Sequence, residues 1–386
     1  MTKSTLDIGI IGAGIGGLTA AIACARIGAN VHVFEQAPAI SEVGAGLQIS
    51  ANALSVLTTL GLDPLSWRHD RPTEITLRSH RWGRKVARIK LNTDASQPYA
   101  QFHRADLIDA LRDAALKRGV TLHLNTKITA DTFDPDLPVI QDIAFDLVIA
   151  ADGIGSQLRG RFFPDHSPKF INQIAWRALV PKYTNMAQNT GTRVYMGPGK
   201  HLVTYPIRNG DFMNIVAVQN TQSEAQEGWG FDADLSDLRA AFAGWNTDVS
   251  QLLARVKQAK IWGLYEHAPL PDWSVGKLAF LGDAAHPMVP FVAQGAAMAI
   301  EDAWVLADCL QKHSDLSTAL KSYYKIREPR TSRVQQTALK SGRIYHVENP
   351  LIRAGLHTGM QIASLIAPKV LSQHYDWIYD YDVTKD

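Results

Sequence analysis

Asp7-Ile8-Gly9-Ile10-Ile11-Gly12-Ala13-Gly14-Ile15-Gly16-Gly17 decides the fold. Residues 7–11 read as a short buried strand, and the glycines that follow as a tight turn. Residues 15–27 are Ala-rich, with Leu18, Ile22 and Ala25 on one helical face. Gly28 stands where a helix usually stops, and Val31-His32-Val33-Phe34 reads as a second strand ending at Glu35. Strand, helix and strand in this order make a βαβ unit with parallel strands. Gly12 permits the turn, Gly14 lets the backbone approach a pyrophosphate, and Gly17 lets the helix press against the strand. The helix N-terminus offers free N–H groups and partial positive charge to phosphates. Glu35 lies 23 residues beyond Gly12, placed to accept from both hydroxyls of a ribose. The pattern predicts a bound dinucleotide without choosing between FAD and NAD.

A second stretch makes that choice. Leu278-Ala279-Phe280-Leu281-Gly282-Asp283-Ala284-Ala285-His286-Pro287 reads as a buried strand delivering Asp283 into a small-residue turn. Eleven residues after Asp283, Gln294-Gly295-Ala296-Ala297-Met298 opens a helix that carries the acid pair Glu301-Asp302. Asp283 suits a flavin's ribityl chain, and the helix start at Gly295 and Ala296 suits negative charge on a reduced flavin ring. Asp283 also fits a plain loop cap.

The rest of the chain agrees with a globular α/β protein. Its 386 residues are 46% hydrophobic and 20% charged, enough for two packed units with large cores. The net charge of +2 gives no electrostatic case for nucleic acid or an anionic membrane, so neither is expected as a partner. Cys24 and Cys309 both fall in helical runs and suit a reducing compartment better than a disulfide or a metal site; no metal is expected. The start shows no secretory pattern and no window approaches a membrane span, so a cytoplasmic location is expected. Residues 172–220 alternate as an antiparallel sheet, residues 235–257 return to helical spacing, and residues 293–310 read as a long helix. The remainder reads as helices broken at Pro329, Pro350 and Pro368. The expected layout is a discontinuous Rossmann-like FAD domain of residues 1–70, 101–171 and 276–345. Residues 71–100 and 172–275 form an inserted, mainly antiparallel substrate domain, and residues 346–386 a C-terminal helical segment.

With Asp152-Gly153 at the end of a strand and Arg104 in His103-Arg104-Ala105-Asp106-Leu107, the chain resembles the group A flavoprotein aromatic hydroxylases, which share the para-hydroxybenzoate hydroxylase fold. Three ordered motifs carry the likeness: Gly12 to Gly17, Asp152-Gly153, and Gly282-Asp283 followed by Pro287 and Pro290. Within the group it is most similar to bacterial salicylate, 3-hydroxybenzoate and 6-hydroxynicotinate hydroxylases. The resemblance implies one FAD, NADH or NADPH as transient co-substrate, and O₂ delivered to a small phenolic or hydroxylated aromatic acid through a flavin C4a-hydroperoxide. It implies that Arg104, Asp152 and Gly153 contact cofactor, that the Gly44-Ala45-Gly46-Leu47-Gln48 loop passes beside the flavin ring, and that the protein is a homodimer. The alternative on the same fold is a non-hydroxylating FAD protein: a reductase, a halogenase or a redox sensor.

The substrate side rests on His201-Leu202-Val203-Thr204-Tyr205. On a strand, residues four apart share a face, so His201 and Tyr205 point into one cavity. Together they suit withdrawal of a phenol's proton, which makes the ring electron-rich. The same pair fits a structural histidine and tyrosine in a half-buried sheet. Pro290, Phe291 and Gln48 complete the expected substrate pocket. Where 6-hydroxynicotinate hydroxylases carry histidines, this chain has Phe291 and Gln48, which argues for a more apolar pocket. Arg177 suits either a substrate carboxylate or a surface ion pair, and Trp229, Trp245 and Trp262 read as core or interface.

Overall fold

The computed structural model describes residues 5–40, 45–91, 98–183, 191–228 and 231–385. Gly44 and Trp229 lie outside the described residues. The opening strand, Asp7–Ile11, sits inside a six-stranded sheet between Leu147–Ala150 and Asn30–Phe34, parallel to both. Thr121–His123 extends the sheet at one side and Leu278–Phe280 at the other, also in parallel. Central strands of such a sheet are buried on both faces, which is why Ile8, Ile10 and Leu147 to Ala150 are wholly inaccessible.

The glycine turn does what its spacing predicts. Gly12 has φ +103°, and a Cβ there would stand 2.4 Å from the Ala151 carbonyl oxygen. A Cβ on Gly17 would lie 2.0 Å from the Gly12 oxygen, so helix Ile15–Arg26 reaches the strand end only because both side chains are absent. That helix packs against Gly295–Lys312 and Arg104–Leu116.

An eight-stranded sheet forms the second layer. Its order is Phe231–Asp232, Ala259–Glu266, Lys169–Pro181, Phe212–Asn220, Lys200–Ile207, Thr192–Gly197, Glu74–Ser79 and Lys85–Lys90. Every pairing is antiparallel except that of Thr192–Gly197 with Glu74–Ser79. Strand alternation divides its two faces. Trp176, Ala178 and Leu202 pack under the helices Leu235–Ala241 and Thr247–Ala254, while Arg177, His201, Val203 and Tyr205 turn to a cavity between the sheets. Gly46–Ile49, Ala100–His103 and His69–Asp70 form a small sheet that links the layers.

Several elements depart from expectation. Residues 235–257 are two helices, because Gly244 takes φ +74° and the Asn246 side chain caps the second by accepting from Val249 N. The 293–310 helix begins at Gly295, since Ala293 is left-handed with φ +53°. Pro329 does not break its helix: Leu316–Tyr345 runs through it. An interior proline costs about 3 kcal/mol, and here buried ion pairs at Arg327 and Arg330 clamp both sides of it. Pro350 and Pro368 do start new helices. Trp245 and Trp262 are core residues, and Cys24 and Cys309 are buried free thiols, burial pushing Cys24 up to about 12. Among the described residues, no helix is long and apolar enough to cross a membrane.

Candidate active site

One cavity joins the two layers, with about 1220 Å³ of empty space including solvent at its mouth. Ile15, Arg104, Asp283, Gly295 and Ala296 line it from the parallel-sheet side. His201, Tyr205, Arg177, Val203 and Val216 line it from the antiparallel sheet. Gly46, Gln48, Pro290 and Phe291 also reach its wall.

Gly12, Gly14, Gly17, Glu35, Asp152 and Gly153 lie apart from this cavity, around the glycine turn. Glu35 Oε2 accepts from Ala13 N and Oε1 from Ala37 N, each at 2.9 Å, so the carboxylate braces the turn itself. The helix after the turn has no side-chain cap, leaving its first N–H groups for a ligand, and a Cβ on Gly14 would meet nothing. Asp152 follows the strand beside Gly12. Its Oδ1 is buried with no hydrogen-bond partner, and burial raises its carboxyl above the usual range despite Ser156 and Arg159.

Arg159, which the sequence reading passed over, ties these two ends together. Its Nη1 donates to the carbonyls of Asp283 at 2.7 Å and Ala284 at 3.3 Å, and Nη2 donates to Ile154 O. Asp283 sits at the cavity wall, raised by burial against the opposing charges of His286, Arg104 and Arg159. The turn that presents it is anchored from behind: Asp302 Oδ2 accepts from Gly282 N at 3.1 Å and meets His286 Nε2 at 2.6 Å. The start of helix Gly295–Lys312 is held by Gln294, whose amide bonds Ser50 Oγ and Asn52 Nδ2, both at 3.0 Å.

On the substrate side, His201 and Tyr205 do face the same cavity. His201 Nδ1 meets His346 Nε2 at 2.6 Å, and its ring packs edge-on to Phe291 with centroids 5.4 Å apart. Burial and then His346 hold the His201 imidazole well below its ordinary value, so it is neutral. Burial lifts the Tyr205 hydroxyl well above its own, Arg177 and Asn214 pulling the other way, so it stays protonated. Gly46 is required by this sheet: a Cβ there would come within 2.6 Å of Tyr205 Cε2 and 2.9 Å of Asn214 Cβ. Gln48 Oε1 accepts from Tyr99 Oη at 2.9 Å and Thr192 Oγ1 at 3.2 Å. Arg177 lines the cavity, its guanidinium 5.5 Å from the Trp262 ring centroid.

A family model described as FAD binding domain matches residues 5–338. The 3-amino-4-hydroxybenzoate 2-monooxygenase of Streptomyces platensis is 33% identical, over 97% of this chain and 96% of that one. The salicylate hydroxylase of Pseudomonas putida is 30% identical, over 100% and 94%. A solved salicylate hydroxylase substrate complex superposes with TM-score 0.80 at 26% identity, covering 100% of this chain and 97% of that one. The chain belongs to the FAD-binding flavoprotein aromatic hydroxylases. These relatives support the hydroxylase reading and not the reductase, halogenase or sensor alternative.

The hydroxylase's residues fit FAD. The uncapped helix after Gly14 and the unpartnered Asp152 Oδ1 offer it donors and an acceptor. Tyr99, Thr192, Tyr345 and Tyr379 are cavity residues that the sequence reading missed. Tyr345 and Tyr379 come from the helical C-terminal region, which no local pattern connects to the sheet. Tyr99 stands four residues before His103 and carries no motif.

Glu35→Ala tests the adenosine end. It removes the acceptor of two backbone donors at the glycine turn, and an unsatisfied buried donor costs about 1–3 kcal/mol. The purified variant is expected to lose FAD on gel filtration or dialysis, read from flavin absorbance per chain. Full occupancy would contradict the assignment.

Proposed function

We propose that the protein is an FAD-dependent monooxygenase that uses NADH or NADPH and O₂ to hydroxylate a small phenol or hydroxylated aromatic acid. The observation that carries this reading is the single cavity shared by Asp283, Gly295 and Arg104 on one side and His201, Tyr205 and Phe291 on the other. The flavin supplies oxygen chemistry when bound and reduced. The chain's own groups do the rest.

Gly12, Gly14, Gly17, Glu35, Asp152 and Gly153 hold the adenosine and pyrophosphate end. Asp283 and Arg104 hold the middle of the cofactor, and the helix start at Gly295 and Ala296 places partial positive charge beside the flavin ring. Gly46, Gln48 and Pro290 border that ring. His201, neutral at physiological pH, accepts the phenol proton. Tyr205, kept protonated, donates a hydrogen bond to the substrate oxygen. Phe291, Val203 and Val216 form an apolar wall that excludes water. Arg177 receives a ring carboxylate, for which its planar fork is suited. The domain division follows the two sheets, the protein acts in the cytoplasm, and it assembles as a homodimer.

A panel of phenols, hydroxybenzoates and 6-hydroxynicotinate checks this, following NADH and NADPH oxidation together with H₂O₂ and product. At least one phenolic acid is expected to stimulate oxidation and to yield hydroxylated product. If every compound sends all reducing equivalents to H₂O₂, the proposal fails.

A further inference from the structure

His201 does not end at the cavity; its far nitrogen begins a line of hydrogen bonds that runs to the surface. His201 Nδ1 meets His346 Nε2 at 2.6 Å, and His346 Nδ1 meets Asn220 Oδ1 at 2.7 Å. Asn220 Nδ2 then donates to Glu348 Oε1 at 3.0 Å. His201 and His346 are buried, whereas Glu348 is exposed.

The direction of the line follows from its outer end. An ionised carboxylate accepts and does not donate, so Glu348 must receive the Asn220 amide hydrogen. The Asn220 oxygen is thereby turned inward. Gln173 Nε2 donates to that oxygen at 3.0 Å and holds the same orientation; it also lies 3.0 Å from His346 Nδ1, where a hydrogen bond would need Nδ1 as acceptor and so competes with Asn220 for that nitrogen. The contact to Asn220 Oδ1, at 2.7 Å the shorter of the two, takes a hydrogen on His346 Nδ1, and in a neutral imidazole Nε2 is then the acceptor. His201 therefore carries its hydrogen on Nδ1. Its Nε2 keeps a lone pair for the cavity.

We propose that His346, Asn220 and Glu348 are positioning residues that set the tautomer of His201, so that the nitrogen facing the substrate is a base. The inference rests on the hydroxylase reading for its use, since only a substrate proton gives the lone pair work. In that step the phenol O–H bond breaks, its proton goes to His201 Nε2, and the oxygen keeps the electron pair. His346 Nε2 goes on accepting from His201 Nδ1 and stabilises the imidazolium, as an oriented acceptor does for a catalytic histidine elsewhere. His201 is faced by Tyr345 and His346 from the helical C-terminal region and by Phe291, while Tyr205 and Arg177 share its cavity.

The test reads the tautomer directly, by ¹⁵N NMR of histidine-labelled, FAD-loaded, full-length protein, with His201 assigned from a His201→Asn sample. Wild type is expected to show a protonated Nδ1 and an unprotonated Nε2 at His201. Glu348→Gln lies on the surface and frees the Asn220 amide to turn over, so the tautomer ratio should fall by about fivefold, the value of one hydrogen bond. His346→Leu should abolish the preference, and His346→Gln, whose side-chain oxygen still accepts, should restore much of it. A protonated Nε2 in wild type overturns the inference, as does a ratio that none of these variants changes. In parallel, the yield of product per NADH with 3-hydroxybenzoate and salicylate should fall in His346→Leu and recover in His346→Gln. If wild type hydroxylates neither these nor any phenol of the wider panel, the hydroxylase reading fails, and the NMR result still decides the tautomer.

Discussion

Arg327→Met is expected to destabilise the protein by about 3–5 kcal/mol, the usual cost of breaking one side of a buried ion pair. Arg327, Glu301 and Asp302 are all wholly inaccessible. Arg327 Nη1 lies 2.6 Å from Glu301 Oε2, and Nε lies 2.7 Å from Asp302 Oδ1. Asn52 and Arg330 complete the shell of Glu301, while His286 and Gly282 N complete that of Asp302. Burial pushes the Asp302 carboxyl up, but His286 and Arg327 outweigh it and leave it below the ordinary range. Methionine fills the volume and leaves two carboxylates short of a partner. The loss extends to the cofactor, because Asp302 anchors the turn that presents Asp283. Thermal unfolding should therefore show a clearly lower Tm, and flavin should be released earlier than in wild type. Arg112→Ala is the control: it removes surface pairs with Asp109 and Asp113, worth under about 1 kcal/mol. Equal Tm values for the two variants would contradict the account of the core.

His201→Asn is expected to lower the rate of phenol hydroxylation by about 10²–10⁴-fold, the usual worth of a positioned general base. FAD should stay bound, since no cofactor-end contact is touched. The product formed per NADH consumed should fall and H₂O₂ should rise. Because burial and His346 hold His201 well below 6.5, wild type should keep its base form, and its hydroxylation, at pH values where an ordinary histidine is half protonated. Stability carries the opposite face of this shift. Burial lowers His346 to about 4 as well. On acidification from pH 7, both histidines therefore bind protons in the unfolded chain before they do in the native one, so native stability declines as pH falls below 6.5. An activity loss with a midpoint near 6.5, or unchanged coupling in His201→Asn, would remove His201 from the chemistry.

What the sequence made legible was local. The turn at Gly12 to Gly17, Glu35 after the second strand, and the Gly282-Asp283 turn each combine a strand end with a helix start, and their spacing is dictated by backbone geometry. His201 and Tyr205 were legible because a strand has period two. Partners joined only by packing were not. Glu301-Asp302 stood out as an acid pair, yet nothing nearby announced that Arg327 and Arg330 would fold back onto it. The same contacts keep a helix intact through Pro329, against its local preference. Arg159 reads as one more basic residue until the strand ends bring Ile154 and Asp283 to its two sides. Gly46 was ascribed to a flat ring; that Tyr205 and Asn214 also demand its bare Cα was not legible. His346 lies 145 positions from the histidine it touches.

The central claim is that reducing equivalents and O₂ meet an aromatic ring in the cavity between the two sheets. The most direct measurement is turnover under ¹⁸O₂ with the best phenolic acid from the substrate panel, analysed by mass spectrometry of the product. One ¹⁸O atom is expected in each new ring hydroxyl, with one NAD(P)H consumed per product. Product carrying only solvent oxygen, or no hydroxylated product from any phenol while flavin reduction proceeds, would contradict the account.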